Sequence, residues 1–185
     1  GCIAVGKHFP GHGNVVEDSH LEEVIDHRNL SDIMSDDLLT FTYLIQSNLL
    51  AGIMPAHITF SKIDSVPVGF SQIWLKNILR EEINYKNLIF SDDLSMKGAM
   101  GDESIEIKVE LALKAGCDVV LICNSPSDTD KVLTHFKKNG LASDFDSTSR
   151  TEFLKTVLSK SKNSIDDAQY EKSVDFFKKN YSPRF

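Results

Sequence analysis

Asn87-Leu88-Ile89-Phe90-Ser91-Asp92-Asp93 is a short apolar run that ends on two carboxylates, and Val119-Val120-Leu121-Ile122-Cys123 is a second apolar run further on. Between them residues 104–115 carry a helical pattern, stopped by Gly116. Apolar run, helix with a glycine stop, apolar run is the signature of a βαβ unit. The second run shows no polar alternation, the mark of a strand buried on both faces, as in a parallel sheet.

The same alternation extends in both directions. Upstream, Gly52-Ile53-Met54 reads as a strand ending at Pro55-Ala56-His57, and residues 2–5 form an apolar run before a loop over residues 6–20. Ser35-Asp36-Asp37 offers a cap and first-turn acids for a helix reaching residue 50, with Leu38, Phe41, Ile45 and Leu49 inward. Ser71 can cap a helix over residues 71–82 that buries Ile73, Trp74, Ile78 and Leu79. Downstream, residues 127–139 form a helix closed by Gly140, and two polar, Lys-rich helices cover residues 149–162 and 165–180. The order is βαβαβαβα plus terminal helices, an α/β fold with a parallel sheet.

A complete (β/α)8 barrel takes about 250 residues. The 185 residues here have room for about half of one, in about four βα units. The expected organisation is one domain, with the βα units in residues 1–140 and the terminal helices in residues 141–185. Such a half-barrel leaves two strand edges unpaired.

Acidic residues number 27 and basic residues 20, a net charge of −7, which disfavours a broad basic footprint for nucleic acid. The 41% hydrophobic and 25% charged content is that of an ordinary globular domain rather than a disordered chain. No apolar run approaches the ~20 residues of a membrane-spanning helix, and the first residues lack the pattern of a secretory signal. Cys2, Cys117 and Cys123 are expected to be reduced thiols, with the last two buried in or beside a strand. That cysteine usage suits a cytoplasmic protein.

Chemically useful residues cluster after the strands: Lys7-His8, His57, Asp92-Asp93 and Asn124. Strand C-termini are where α/β sheets and barrels place their chemistry. The densest group is Lys7-His8-Phe9-Pro10-Gly11-His12-Gly13, followed by Asp18-Ser19-His20. His8 and His12 have the spacing of a zinc-binding helix, but Pro10, Gly11 and Gly13 do not suit a helix there. The glycines do not match either phosphate-binding pattern, and no metal or cofactor is expected. Asp18 and His20 point the same way in an extended loop, and a carboxylate beside an imidazole fixes its tautomer and raises its basicity. Such a pair can move protons; equally, the histidines of this loop can simply satisfy backbone groups. Of Asp92 and Asp93, adjacent and so divergent, one can enter a site as nucleophile, base or metal ligand, and the pair also fits a plain helix N-cap.

Taken together, Lys7 through Gly13 with Asp18-Ser19-His20, Ile53-Met54-Pro55-Ala56-His57, Phe90-Ser91-Asp92-Asp93-Leu94-Ser95-Met96 and Ala115-Gly116-Cys117-Asp118 resemble, in order and spacing, the bacterial β-N-acetylglucosaminidases of glycoside hydrolase family 3. The resemblance covers residues 3–139. It implies a TIM-barrel fold, of which this chain would be the C-terminal half, and a retaining exo-glycosidase that removes terminal non-reducing N-acetylglucosamine from muropeptides in cytoplasmic peptidoglycan recycling. By position it makes Asp92 the nucleophile, His20 the general acid/base oriented by Asp18, and Lys7 and His8 ligands of sugar hydroxyls. His12 would shape the loop, and Gly11 and Gly13 would be its hinges. No cofactor is implied. The partners implied are the sugar substrate and the missing N-terminal barrel half, without which the chain would lack part of its site. The competing readings are a family 3 glycosidase of different sugar preference, a non-catalytic muropeptide-binding module, and a fragment that completes a partner's barrel.

Overall fold

The computed structural model describes residues 4–16, 22–140, 152, 155–156 and 167–181. Its frame is a four-stranded parallel sheet in the order β1-β3-β5-β6, built from β1 (Val5–Phe9), β3 (Gly52–Pro55), β5 (Leu88–Asp93) and β6 (Val119–Leu121). The short strands β2 (Val24–Asp26) and β4 (Ile58–Phe60) pair in parallel beside it. The helices are α1 (Leu30–Ser35), α2 (Asp37–Gln46), α3 (Ile105–Ala115), α4 (Pro126–Asn139) and α5 (Asp167–Tyr181), with a π-helical segment over Ile73–Glu82. The expected α/β class with a parallel sheet is borne out, and β2 and β4 are strands beyond the four expected.

Several details differ for identifiable reasons. β1 begins at Val5 and runs through Lys7 and His8, so residues expected in a loop are strand residues. The helix expected over residues 35–50 is α2, shorter at both ends (Asp37–Gln46) and preceded by a separate α1 that ends at Ser35, and Leu50 rather than Leu49 turns inward. Ser71 does cap the next segment, accepting from the Trp74 amide at 3.1 Å while donating to Asp64 at 2.6 Å. That segment then winds with i→i+5 bonds, as Ile83 N to Ile78 O shows, and the wider turn buries Leu75 while leaving Ile73 exposed. β6 is an outermost strand, so Val119, Val120 and Leu121 are half-buried instead of enclosed on both faces. Cys117 is buried as expected, but Cys123 lies past the end of β6 and is exposed. Cys2 and most of residues 149–162 fall outside the described residues.

The core gathers behind β1 and β3. Phe9 stands edge-on to both Phe41 (5.3 Å, 89°) and Trp74 (6.1 Å, 86°), and Trp74 continues the cluster to Phe60. Offset and edge-to-face aromatic contacts of this kind add to plain area burial. A polar latch fixes the opposite end of the sheet. Arg80 donates to Asp118 at 2.6 Å and to the carbonyls of Tyr85 and Asn87, and Asp118 also accepts the Ile89 amide at 2.8 Å. The stretch Ala115 to Asp118 is therefore architectural: Gly116, at φ +126°, closes α3, and Asp118 joins β5 to β6.

Asp118 is 1% exposed at its side chain, so removing its partner strands a buried charge. Arg80→Met is expected to destabilise the fold by about 3–5 kcal/mol in urea unfolding; a loss under about 1 kcal/mol would show that the latch carries no such weight.

Candidate active site

Two irregularities in the ladders bring the chemistry together. Lys7 pairs with Met54 and Phe9 with Pro55, so His8 is an extra residue on β1. Phe90 pairs with Val119 and Asp93 with Leu121, three steps against two, so the Ser91–Asp92 stretch carries an extra residue on β5. A bulge bends its strand and re-aims a side chain. The ladder is stitched around the second bulge by Ser91, whose hydroxyl accepts the Leu121 amide at 2.9 Å, and by the Leu94 amide, which donates to the Leu121 carbonyl at 2.9 Å. The outcome is that His8, on one side of β3, and Asp92, on the other, approach across it: His8 Nε2 lies 3.5 Å from Asp92 Oδ2.

The adjacent carboxylates have separate roles. Asp93 turns toward Ser95 and the end of β6, and accepts from the Ser95 amide (3.0 Å), the Ser95 hydroxyl (2.7 and 2.8 Å) and the Cys123 amide (3.0 Å). Burial alone would raise its pKa, but these hydrogen bonds to the charged form outweigh it and hold the carboxyl below the usual carboxylate range. Among the described residues, Asp92 accepts the neighbouring Asp93 amide through Oδ1 (2.8 Å), and its Oδ2 faces His8.

His57, just past β3, is 1% exposed and stacks on Phe70 at 5.9 Å. Its Nε2 lies 3.0 Å from the Asp93 carbonyl, which as a pure acceptor requires that nitrogen to carry the proton. Burial lowers the His57 pKa, against opposing pulls from Asp92 and Asp93, so the ring is neutral near pH 7. A neutral, stacked imidazole thus pins the backbone next to Asp92 from the β3 side.

Of the residues singled out from sequence, His8, His57, Asp92 and Asp93 meet at one place. Lys7 is exposed on the same strand as His8, and His12 lies edge-on to His8 with ring centroids 6.0 Å apart. Asn124 follows β6 with φ +55° and is exposed. Asp18 and His20 lie outside the described residues. Sequence reading missed the cluster Asp26, Arg28 and Asp37, whose only signal is Asp-x-Arg after a short β-branched run. It also missed Lys108, which is buried and donates to the Gly101 carbonyl at 2.8 Å behind the Asp92 loop. Among the described residues no group of three or more His, Cys, Asp or Glu side chains could hold a metal ion, and no helix is long and apolar enough to cross a membrane.

Residues 1–151 match the profile described as the glycosyl hydrolase family 3 N terminal domain. The chain is 50% identical over 134 residues to a β-hexosaminidase of Nitrosomonas eutropha, covering 72% of this chain and 38% of that protein. Over 137 residues it is 47% identical to a β-hexosaminidase of Methylobacillus flagellatus, covering 74% and 39%. The crystal structure of NagZ from Neisseria gonorrhoeae in complex with N-trifluoroacetyl-D-glucosamine is similar at TM-score 0.65 and 44% identity, over 72% of this chain and 38% of that one. The β-N-acetylglucosaminidase of Thermotoga maritima is similar at TM-score 0.67 and 29% identity, over 77% and 32%. The chain thus spans about two-fifths of the length of the curated relatives it matches. With a parallel βα sheet, a strand-end aspartate approached by a histidine, and a profile match over most of its length, the chain belongs to glycosyl hydrolase family 3, within that family's TIM-barrel-like N-terminal domain.

Proposed function

We propose that this chain carries the catalytic centre of a retaining exo-β-N-acetylglucosaminidase. The observation that supports this best is the division between the two acids: Asp93 is engaged by Ser95 and Cys123, while Asp92 Oδ2 faces His8 at 3.5 Å. A retaining glycosidase needs one carboxylate to attack the anomeric carbon and a proton donor for the leaving oxygen. In this reading Asp92 Oδ2 forms the bond to that carbon as the glycosidic C–O bond breaks. His20, made more basic by Asp18, gives its proton to the departing oxygen, then takes one from the water that releases the sugar from Asp92. Lys7 and His8 hydrogen-bond sugar hydroxyls.

The substrate class follows from the relatives, which are β-hexosaminidases or, in one solved case, bound to an N-acylated glucosamine. We take the physiological substrate to be muropeptides bearing terminal N-acetylglucosamine on anhydro-N-acetylmuramic acid, within cytoplasmic peptidoglycan recycling. Because β1 and β6 are the outermost strands of the sheet, the reading includes further barrel strands, from a longer chain or a partner, that complete the sugar site.

Five outcomes test it. Given the completing strands, the protein should cleave a nitrophenyl N-acetylglucosaminide in preference to the corresponding glucoside, and the 185-residue chain alone should be inactive; preference for the glucoside would move it to another sugar, and robust turnover by the lone chain would remove the need for further strands. Asp92→Asn should lower kcat by at least about 10³-fold, a barrier change of about 4 kcal/mol, with the unfolding midpoint unchanged; a near-normal rate would eliminate the covalent route. His20→Ala should impair an alkyl glycoside far more than a dinitrophenyl glycoside, and equal losses would remove the acid role. Asp93→Ala should instead destabilise the fold by roughly 1–3 kcal/mol at pH 7. Its folded carboxyl lies below the ordinary value of 3.8, so the unfolded chain takes up the proton first as pH falls. The stabilisation from Asp93 is therefore complete above that value and vanishes below it, and wild type and variant should converge in acid. A gap that persisted at low pH would mean the carboxylate's charge is not what holds the turn.

A further inference from the structure

Fourteen residues, 10–23, separate β1 from β2, and they include Asp18 and His20. The described parts of this connection lead to one guanidinium. Arg28 grips Asp26, the last residue of β2, with Nε at 3.0 Å and Nη2 at 2.8 Å from Oδ2, and its own amide donates to Oδ1 at 2.8 Å. Its remaining nitrogen, Nη1, lies 2.6 Å from Asp37 at the start of α2 and 3.8 Å from the exposed Asp36. Asp26 in turn accepts from Asn14 at 3.3 Å, near the start of the connection. Asp37 lies so close over Gly11 that an added Cβ there would be 2.6 Å from its Cβ and Cγ. The β2 end is fixed as well, since the Asp26 carbonyl accepts the Ser61 amide at 3.0 Å beside β4.

We infer that Arg28 is a positioning residue: clamped between Asp26 and Asp37, it ties both feet of the β1–β2 connection to one point. The arrangement uses what distinguishes arginine from lysine: the planar fork hydrogen-bonds Asp26 through two nitrogens while its third nitrogen pairs with Asp37 by charge. It is also well isolated from bulk water, with Asp26 2% and Arg28 18% exposed at their side chains. The burial of Asp26 would raise its pKa, yet the bonds from Arg28 and Asn14 keep it low, so the pair stays charged. Asp92 and His8 sit elsewhere on the sheet and make no part of this node. The clamp's effect on turnover rests on the glycosidase reading; its effect on the feet does not.

Hydrogen exchange on the 185-residue chain tests the mechanical claim. In Arg28→Lys, peptides covering residues 10–16 and 22–28 should exchange about ten-fold faster, with β3 and β5 unchanged. Gly11→Ala, which displaces Asp37 while leaving Arg28 intact, should reproduce the signature at residues 10–16. Unchanged exchange in these peptides, or a uniform rise across the sheet in both variants, would overturn the inference. Kinetics add a readout that general destabilisation would not move: Arg28→Lys should lose about ten-fold more activity on an alkyl N-acetylglucosaminide than on a dinitrophenyl one, because only the former needs the proton delivered. Equal losses would overturn a role in positioning the proton donor. If the unmutated protein, given the completing strands, cleaves neither, the glycosidase reading falls, and the exchange comparison alone decides whether Arg28 anchors the connection.

Discussion

The hydrogen bonds that hold the Asp93 carboxylate to Ser95 and the Cys123 amide govern the rest of the site. Ser95 and the Cys123 amide hold that side chain, the bulge on β5 supplies the extra residue that lets Asp92 diverge from it, and Ser91 repairs the ladder the bulge interrupts. Without this division, two neighbouring acids at a strand end would compete for one role, and mutual repulsion would tend to keep one of them protonated. With it, one carboxylate is architectural and the other faces His8.

The surrounding parts serve the same end from different directions. His57 reaches the Asp93 carbonyl from β3, with its ring stacked on Phe70. At the far end of β5 the Arg80–Asp118 latch fixes the Ile89 amide, and Phe9, next to the β1 bulge, is wedged between Phe41 and Trp74. The end of β5 bearing Asp92 is therefore held along its length, as a preorganised centre requires. The proposed Arg28 clamp extends the same logic to the described feet of the connection after β1, where Asn14 meets Asp26 of β2 and Gly11 meets Asp37 of α2.

Much of this was legible in the amino-acid sequence because it depends on local pattern. The apolar run before Asp92, the helix stopped by Gly116 and the Ser71 cap are written in neighbouring residues and appear where expected. What was not legible depends on pairing. The bulges at His8 and beside Asp92 exist only in the register between strands, so Lys7 and His8 looked like loop and are strand. Val119 to Cys123 looked doubly buried from its apolar side chains, but exposure follows position in the sheet, and β6 is outermost. Ile73 exchanged places with Leu75 because a π-helical turn, with no evident local signal, shifts which residues face inward. Asp92 and Asp93 were recognisable as a pair, but their opposite roles required knowing that the Cys123 amide lies across the ladder.

The most direct test of the account is to trap the glycosyl-enzyme with a slow-reacting fluorinated N-acetylglucosaminyl donor and locate the label by tandem mass spectrometry of the peptide spanning residues 88–97. The account predicts a single sugar adduct on Asp92. An adduct on Asp93, or turnover of the donor with no labelled carboxylate on this strand, would contradict it.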